Sequence, residues 1–195
     1  PPRGTMVAYG GSDYAGTASG GDYTVHIGLG VDSQSRMWVL DLWRAQASSD
    51  KWVEAFCDLV IKWKPIGWAE ETGQIKSGVG PFLLKEQALR GAYVVREAFP
   101  TRGDKAVRAQ SIRGRMAMHG LYVQSGAPFL EALLSEMMSF PVAVHDDQVD
   151  ALGLCGQLMD RMSAGVDKKE APEKPVLRTL DDLVAAPLQM PGRRR

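Results

Sequence analysis

The sequence predicts an α/β fold whose mixed central sheet is flanked by helices. Near its start, three runs rich in β-branched and aromatic residues are separated by short turns, which is typical of an antiparallel meander. Beyond residue 48, helical and strand-like runs alternate, which is typical of parallel strands joined by helices. Together the two patterns indicate one sheet with an antiparallel start and a parallel continuation, covered on both sides by helices.

The antiparallel start is predicted over residues 6–13, 22–31 and 36–44. The first run is apolar and ends at glycines and Asp13, and the second is β-branched and aromatic. The third alternates apolar and polar residues, as a half-buried strand does.

A helix is predicted over residues 48–64, where a serine can cap the start and Pro65 ends it. Its apolar side chains recur at helical spacing, namely Trp52, Ala55, Phe56, Leu59, Val60 and Trp63. The remaining elements are predicted as strands over 66–71, 92–99 and 121–123, and as helices over 80–91, 104–120, 127–140 and 145–162.

Composition divides the chain at residue 164. Residues 1–164 keep their hydrophobic periodicity and are predicted to form the folded domain. Residues 165–195 hold four prolines, seven basic and five acidic residues. Too few apolar groups are present there to offset the chain entropy, so this segment is predicted to be a flexible tail.

Composition also excludes several classes of protein. No run of 18 apolar residues occurs, which predicts no membrane span. The two cysteines are too few for a disulfide scaffold or a cysteine-rich zinc site. No G-x-x-x-x-G-K-[ST] phosphate loop occurs, so we expect the chain to contain no ATPase domain.

The formal net charge is zero, with 23 basic and 23 acidic residues, but the charge is unevenly distributed. Residues 85–115 contain eight basic and three acidic residues, a local balance of +5. Clustered basic side chains are typical of a protein that binds a phosphate-bearing partner. A solvated helix and strand surface is the alternative explanation.

Carboxylates at the ends of predicted elements are the most informative feature. Asp13 ends the first strand and Glu70 lies at the end of the fourth. Functional groups gather at the carboxyl ends of strands in open α/β sheets. The last helix opens with Asp146, Asp147 and Asp150, and the dipole of a helix explains acidic residues in its first turn. It does not explain Asp150, which is flanked by apolar residues.

Clustered carboxylates repel one another unless a cation is present. All-oxygen ligands suit Mg²⁺ or Mn²⁺, and a pair of such ions about 3.5–4 Å apart serves phosphodiester cleavage. The sequence therefore predicts a site for Mg²⁺ or Mn²⁺, with two ions, at Asp13, Glu70, Asp146, Asp147 and Asp150.

Four segments in this order resemble one known family. They are GSD…GGDYT (11–24), WAEE (68–71), GDKAVRA (103–109) and HDDQVDAL (145–152). Over roughly residues 7–160 the chain resembles the C-terminal nuclease domain of a tailed-bacteriophage terminase large subunit. That enzyme cuts concatemeric DNA during genome packaging. The resemblance implies an RNase H-like fold.

The resemblance also implies roles for particular residues. Asp13 and Glu70 would be metal ligands, with Glu70 favoured over Glu71 because it aligns with the family's glutamate. In the last motif Asp147 and Asp150 have the spacing of junction resolvases, and Asp146 is a plausible third ligand. The catalytic set is then Asp13, Glu70, Asp147 and Asp150. His145 would either contact metal-bound water or a phosphate, or simply lie beside the start of the helix.

Basic residues are expected to bind the DNA. Lys105 and Arg108 are three residues apart and share a predicted helical face, where they could hold the backbone or the scissile phosphate. Arg113 and Arg115 are weaker candidates of the same kind.

The function implied is a Mg²⁺- or Mn²⁺-dependent endonuclease acting on double-stranded DNA in the host cell cytoplasm during virus assembly. The implied partners are an ATPase domain of the same polypeptide, the portal and the small terminase subunit. Two alternatives stay open at this point. One is another RNase H-like nuclease, of the junction resolvase or transposase type, and the other is a DNA- or portal-docking module that is inactive in isolation.

Overall fold

The structure, a computed structural model, describes residues 5–15, 21–72, 80–100, 105–142 and 145–164. The predicted tail, residues 165–195, lies outside the described residues. The strands are β1 (Val7–Asp13), β2 (Thr24–Val31), β3 (Met37–Ala45), β4 (Trp68–Glu71), β5 (Arg96–Phe99) and β6 (Leu121–Val123). The helices are α1 (Ser49–Trp63), α2 (Gly80–Arg90), α3 (Lys105–Arg108), α4 (Gln110–His119), α5 (Leu130–Ser139) and α6 (Asp147–Ala164).

The six strands form one mixed sheet in the order β5-β4-β1-β2-β3-β6. β1, β2 and β3 pair as an antiparallel meander. β4 pairs in parallel with β1, and β5 in parallel with β4. β6 joins the opposite edge in parallel with β3. The predicted α/β fold with an antiparallel start and a parallel continuation is therefore confirmed.

Helices cover the two faces of the sheet, and each face has its own apolar cluster. On the α1 face, side chains of α1 such as Phe56 and Val60 pack around Trp68 of β4. On the α6 face, Leu152 and Cys155 of α6 pack on Val25 and other β2 side chains, with α4 and α5 alongside.

Helix α6 approaches the sheet very closely at β1. A Cβ atom added to Gly11 would lie 2.7 Å from the Ala151 carbonyl oxygen and 2.7 Å from Cys155 Sγ. Only glycine therefore permits this distance. On the other side of the same helix, a Cβ added to Gly156 would lie 2.8 Å from the backbone nitrogen of Ile112 in α4. The position of α6 is thus fixed by backbone contacts on both sides.

Two elements differ from their predictions. Of the strand predicted over 92–99, only Arg96–Phe99 is strand in the structure. The helix predicted over 104–120 is divided into α3 and α4 at Ala109, which is buried. The division coincides with the place where the Arg108 carbonyl lies against Gly153 of α6. None of the helices in the described part of the chain is both long and apolar enough to cross a membrane.

Candidate active site

The parallel pairing of β1 and β4 decides which carboxylates meet. Ser12 is the register partner of Glu70, so Asp13 and Glu71 follow side by side at the carboxyl ends of the two strands. Successive side chains of a strand point to opposite faces. Ala69 packs against Leu154 and Leu158 of α6. Glu71, two residues further on, therefore lies on the α6 face, and Glu70 lies on the α1 face.

Helix α6 adds two further carboxylates to the α6 face. Asp13, Glu71 and Asp147 are buried, with exposed fractions of 9%, 7% and 5%. The Asp150 side chain, one turn into the helix, is 10% exposed. Burial, and then the charges of Glu71, Asp150 and Asp147, raise the pKa of Asp13 from 3.8 to about 8 against the lowering effect of Arg108. These four carboxylates form one electrostatically coupled group, here called the α6-face site.

Arg108, predicted to bind DNA, lies inside this group. Its Nη1 is 3.4 Å from Glu71 Oε1, and its Nη2 is 3.3 Å from Asp150 Oδ1. The side chain is only 14% exposed. The guanidinium thus neutralises part of the charge of the α6-face site and faces carboxylates instead of solvent.

Asp147 is held by the loop before β2. The backbone N–H of Tyr23 donates to Asp147 Oδ2 at 3.2 Å. The Tyr23 ring lies 3.5 Å from the Arg44 guanidinium carbon, and it meets the His145 ring edge-on at 5.3 Å. Burial raises the pKa of Asp147, while the Tyr23 N–H and the charges of His145 and Arg44 lower it. His145 Nδ1 is 4.0 Å from Asp147 Oδ2, which places the histidine at the rim of the site.

Asp146 is buried immediately before α6. Its backbone carbonyl accepts the Asp150 N–H at 2.8 Å, which closes the first turn of the helix. Asp146 therefore lies at the start of α6, next to the α6-face site.

Glu70, favoured over Glu71 as a metal ligand in the sequence analysis, lies on the opposite face of the sheet from Asp13. Glu70 Oε1 accepts bonds from the Tyr14 hydroxyl and from Arg96 Nε, both at 2.8 Å. Glu70 Oε2 accepts a bond from Arg96 Nη2 at 2.7 Å. Burial lowers the pKa of Arg96. The hydrogen bonds to Glu70 and the negative charge of Glu70 outweigh this effect, so the pKa of Arg96 is raised. The alternation of side chains along β4 is the physical reason for this position.

The other predicted DNA-binding residues lie along α3 and α4. Lys105 begins α3, and its side chain is outside the described part of the structure. Arg113 is exposed on α4. Arg115 donates to Asp160 of α6 at 2.7 Å, so its charge is already paired.

The donors of the α6-face site have the chemistry that a divalent cation requires. Four carboxylates, three of them buried and Asp150 10% exposed, supply hard oxygen ligands, and burial together with their mutual repulsion raises the pKa of Asp13. As the side chains lie, no three His, Cys, Asp or Glu groups among the described residues are arranged to hold one ion. The donor set fits Mg²⁺ or Mn²⁺ in kind, while the positions of the side chains are those of a site that contains Arg108.

Sequence reasoning missed three residues of this region. Arg96 and Tyr14 fix Glu70, and Tyr23 fixes Asp147. Side chains alternate between the two faces along β4, so Glu70 and Glu71, which follow Trp68 and Ala69, are expected to point to opposite faces. The local pattern does not show which of these faces Asp13 shares. That information lies in the register between two strands far apart in the sequence.

Comparison with known proteins places this chain in a family. Residues 10–155 match the family described as Terminase RNaseH-like domain. A comparison with curated protein sequences gives no match.

Solved structures share the fold. The crystal structure of the large terminase nuclease from thermophilic phage G20c, with bound zinc, is 20% identical with a TM-score of 0.56, covering 78% of this chain and 81% of that chain. The human cytomegalovirus terminase nuclease domain, soaked with manganese and bound to an inhibitor, is 15% identical with a TM-score of 0.61, covering 82% and 86%. The large terminase of another thermophilic bacteriophage is 12% identical with a TM-score of 0.53, and this chain covers 42% of it. The predicted RNase H-like fold is confirmed.

Proposed function

This chain belongs to the terminase RNase H-like domain family, and from that premise we propose that it is a metal-dependent endonuclease that cuts concatemeric double-stranded DNA during viral genome packaging. The observation that carries the proposal is the α6-face site. Asp13, Glu71, Asp147 and Asp150 come from two strands and a helix and meet at the carboxyl ends of β1 and β4. Buried carboxylates in such numbers cost stability, so a function must account for them.

We assign the ligand role to Asp13, Glu71, Asp147 and Asp150, with Asp146 as a further candidate beside them. Two Mg²⁺ or Mn²⁺ ions held there would supply the activation of a water nucleophile and the stabilisation of the departing 3′ oxygen. The chain's own contribution is to hold the carboxylates in place. Tyr23 fixes Asp147 through its backbone N–H, and the contact of Gly11 with α6 fixes the distance between β1 and that helix.

The DNA backbone is proposed to approach along α3 and α4, beside the α6-face site. Arg113 is exposed there and can contact a phosphate, and Lys105 begins the same stretch. Arg115 is already paired with Asp160 and contributes less. The net charge of zero is no obstacle, because bound divalent ions add positive charge where the scissile phosphate must lie.

The family relationship also supports a wider setting. We propose an ATPase domain of the same polypeptide, the portal and the small terminase subunit as partners, and the host cell cytoplasm as the place of action. The structure of the other thermophilic bacteriophage's large terminase, of which this chain covers 42%, is consistent with a larger protein around such a domain.

The test is cleavage of supercoiled plasmid by the purified chain in Mg²⁺, in Mn²⁺ and in a chelator. Asp13→Asn and Asp147→Asn are expected to remove metal-dependent cleavage, because each removes one oxygen ligand. Asp160→Asn is the matched control, since Asp160 lies on the same helix but is half-exposed and pairs with Arg115. Cleavage by Asp13→Asn at the wild-type rate would show that the site assignment is wrong. Faster cutting of a four-way junction than of linear duplex would instead favour a resolvase.

A further inference from the structure

The contacts of Arg108 bear on how the α6-face site receives its metal. This guanidinium reaches both Glu71 and Asp150, at 3.4 and 3.3 Å, and it is nearly buried. A positive charge in that position reduces the repulsion among the four carboxylates. Its charge also lowers the pKa of Asp13, against the effect of burial and of the neighbouring carboxylates.

The geometry of these contacts is looser than that of a well-formed arginine–carboxylate pair. Charge-assisted N–H···O bonds are ordinarily about 2.7–2.9 Å long. Arg96 meets that standard on the other face of the sheet, with bonds of 2.8 and 2.7 Å to the two oxygens of Glu70. The contacts of Arg108 to Glu71 and Asp150, which belong to different elements, are longer, at 3.4 and 3.3 Å.

A divalent cation at the α6-face site would draw on the same two carboxylates, Glu71 and Asp150, that Arg108 contacts. The arrangement of the described side chains in the presence of this guanidinium does not bring three ligands to one point. A metal ion bound by Glu71 and Asp150 would place a second positive charge beside the Arg108 guanidinium, and these like charges would repel.

We propose that Arg108 is an internal cation that stabilises the metal-free α6-face site and competes with the divalent ions for Glu71 and Asp150. This inference rests on the proposed function. It makes Arg108 a positioning residue that sets the metal concentration at which the site fills. By linkage, a group that stabilises only the metal-free form lowers the apparent affinity for metal.

The test compares wild type with Arg108→Ala in the absence of DNA. In a chelator, Arg108→Ala is expected to unfold at a lower temperature, because the carboxylates lose their neutralising charge. In a titration with Mn²⁺, followed by thermal unfolding and by calorimetry, the midpoint for Arg108→Ala is expected at a concentration roughly tenfold lower than that for wild type. Arg115→Ala, which removes an arginine paired outside the site, is the control and is expected to leave the midpoint unchanged.

The other outcomes separate the two proposals. Equal midpoints for wild type and Arg108→Ala, or weaker binding by the variant, overturn the competition and leave the metal site in place. No response to Mn²⁺ by either protein overturns the metal site and the competition with it. If Arg108→Ala does not fold, Arg108→Gln, which keeps amide donors without the charge, is measured in its place with the same expected direction.

Discussion

The two faces of the sheet hold their buried carboxylates in contrasting ways, and β4 shows both within two adjacent residues. On the α1 face, Glu70 is one carboxylate matched by one arginine and one tyrosine hydroxyl, all at 2.7–2.8 Å. On the α6 face, Glu71 belongs to a group of four carboxylates that share the looser contacts of Arg108.

The contrast distinguishes a carboxylate that serves the fold from one that is available to a ligand. A buried charge with all its hydrogen bonds made is an internal ion pair, and its loss affects stability. A carboxylate within a buried group of like charges lowers stability as it stands and is typical of functional sites. Two neighbouring glutamates of the same strand are therefore expected to respond differently to the same substitution.

The largest expected effects come from exchanging each glutamate for glutamine. Glu71→Gln is expected to lower Mn²⁺-dependent plasmid cleavage by about a hundredfold. Removal of one group that stabilises charge in the transition state typically lowers the rate by about this factor. Glu70→Gln is expected to lower the free energy of unfolding by about 2–3 kcal/mol, because Arg96 loses a charged partner but keeps some access to water. Plasmid cleavage and urea unfolding are measured on both variants. The opposite assignment, with activity lost in a stable Glu70→Gln protein, would contradict the contrast.

Removing a carboxylate from the α6-face site is expected to stabilise the metal-free protein. The pKa of Asp13 is about 8 in the folded state and 3.8 as its ordinary value. Since the pKa of Asp13 is higher in the folded than in the unfolded state, the contribution of Asp13 to stability is fully present below pH 3.8. This contribution is lost as the pH rises toward 8.

Asp13→Asn is therefore expected to gain about 2–4 kcal/mol over wild type near pH 8 and little near pH 4. Chemical unfolding in a chelator at both pH values measures the difference. Asp160→Asn, outside the site, provides the comparison, and a gain of equal size in that variant would argue against repulsion within the site.

Acid is expected to destabilise the protein through a buried histidine on the α1 face. His26 is buried, accepts the Ser12 hydroxyl at Nδ1 and donates from Nε2 to the Trp52 carbonyl. Burial lowers its pKa from 6.5 to about 3, while the bond to Trp52 opposes this shift. In this pH range His26 therefore binds a proton in the unfolded chain but not in the folded protein. The free energy of unfolding falls as the pH drops from about 6.5 toward 3.

The expected slope from His26 is at most about 1.4 kcal/mol per pH unit in that window. Unfolding curves for wild type and His26→Gln between pH 7 and 5 measure it, and the variant is expected to show the shallower dependence. His119→Gln, at the end of α4, should keep the wild-type slope. A common slope for all three proteins would show that His26 does not carry the acid sensitivity.

The smallest expected effects concern the arginines outside the α6-face site. Arg113 is exposed, so Arg113→Ala is expected to weaken DNA binding moderately and to reduce the slope of log affinity against log salt by about 0.9. Arg115→Ala is expected to change this slope less, because Asp160 already neutralises that charge. Binding of duplex DNA in Ca²⁺ across a salt series distinguishes them, and equal slopes in both variants would place the DNA elsewhere.

Local patterns in the sequence predict most of the fold. The spacing of apolar residues such as Phe56 and Val60 predicts α1, and the acidic start of α6 predicts where the last helix begins. These features depend on neighbours in the chain. The position of β6 beside β3, by contrast, depends on packing between segments that are far apart in the sequence.

The candidate site could be predicted in part for the same reason. Asp13, Asp147 and Asp150 stand at element ends, which local patterns identify, and the structure brings them together. The choice between Glu70 and Glu71 depends on the register of β4 against β1, and no local pattern encodes it. The position of Arg108 depends on the division of a helix where it meets α6.

The close contact between Gly11 and α6 also has a consequence for the order in which the molecule is made. Asp13 emerges from the ribosome more than a hundred residues before Asp147 and Asp150. Because α6 packs directly on β1, the sheet keeps an uncovered surface until translation has passed residue 150. A nascent chain that stops short of this helix has no assembled carboxylate site, so truncated products of this domain are expected to be harmless to DNA.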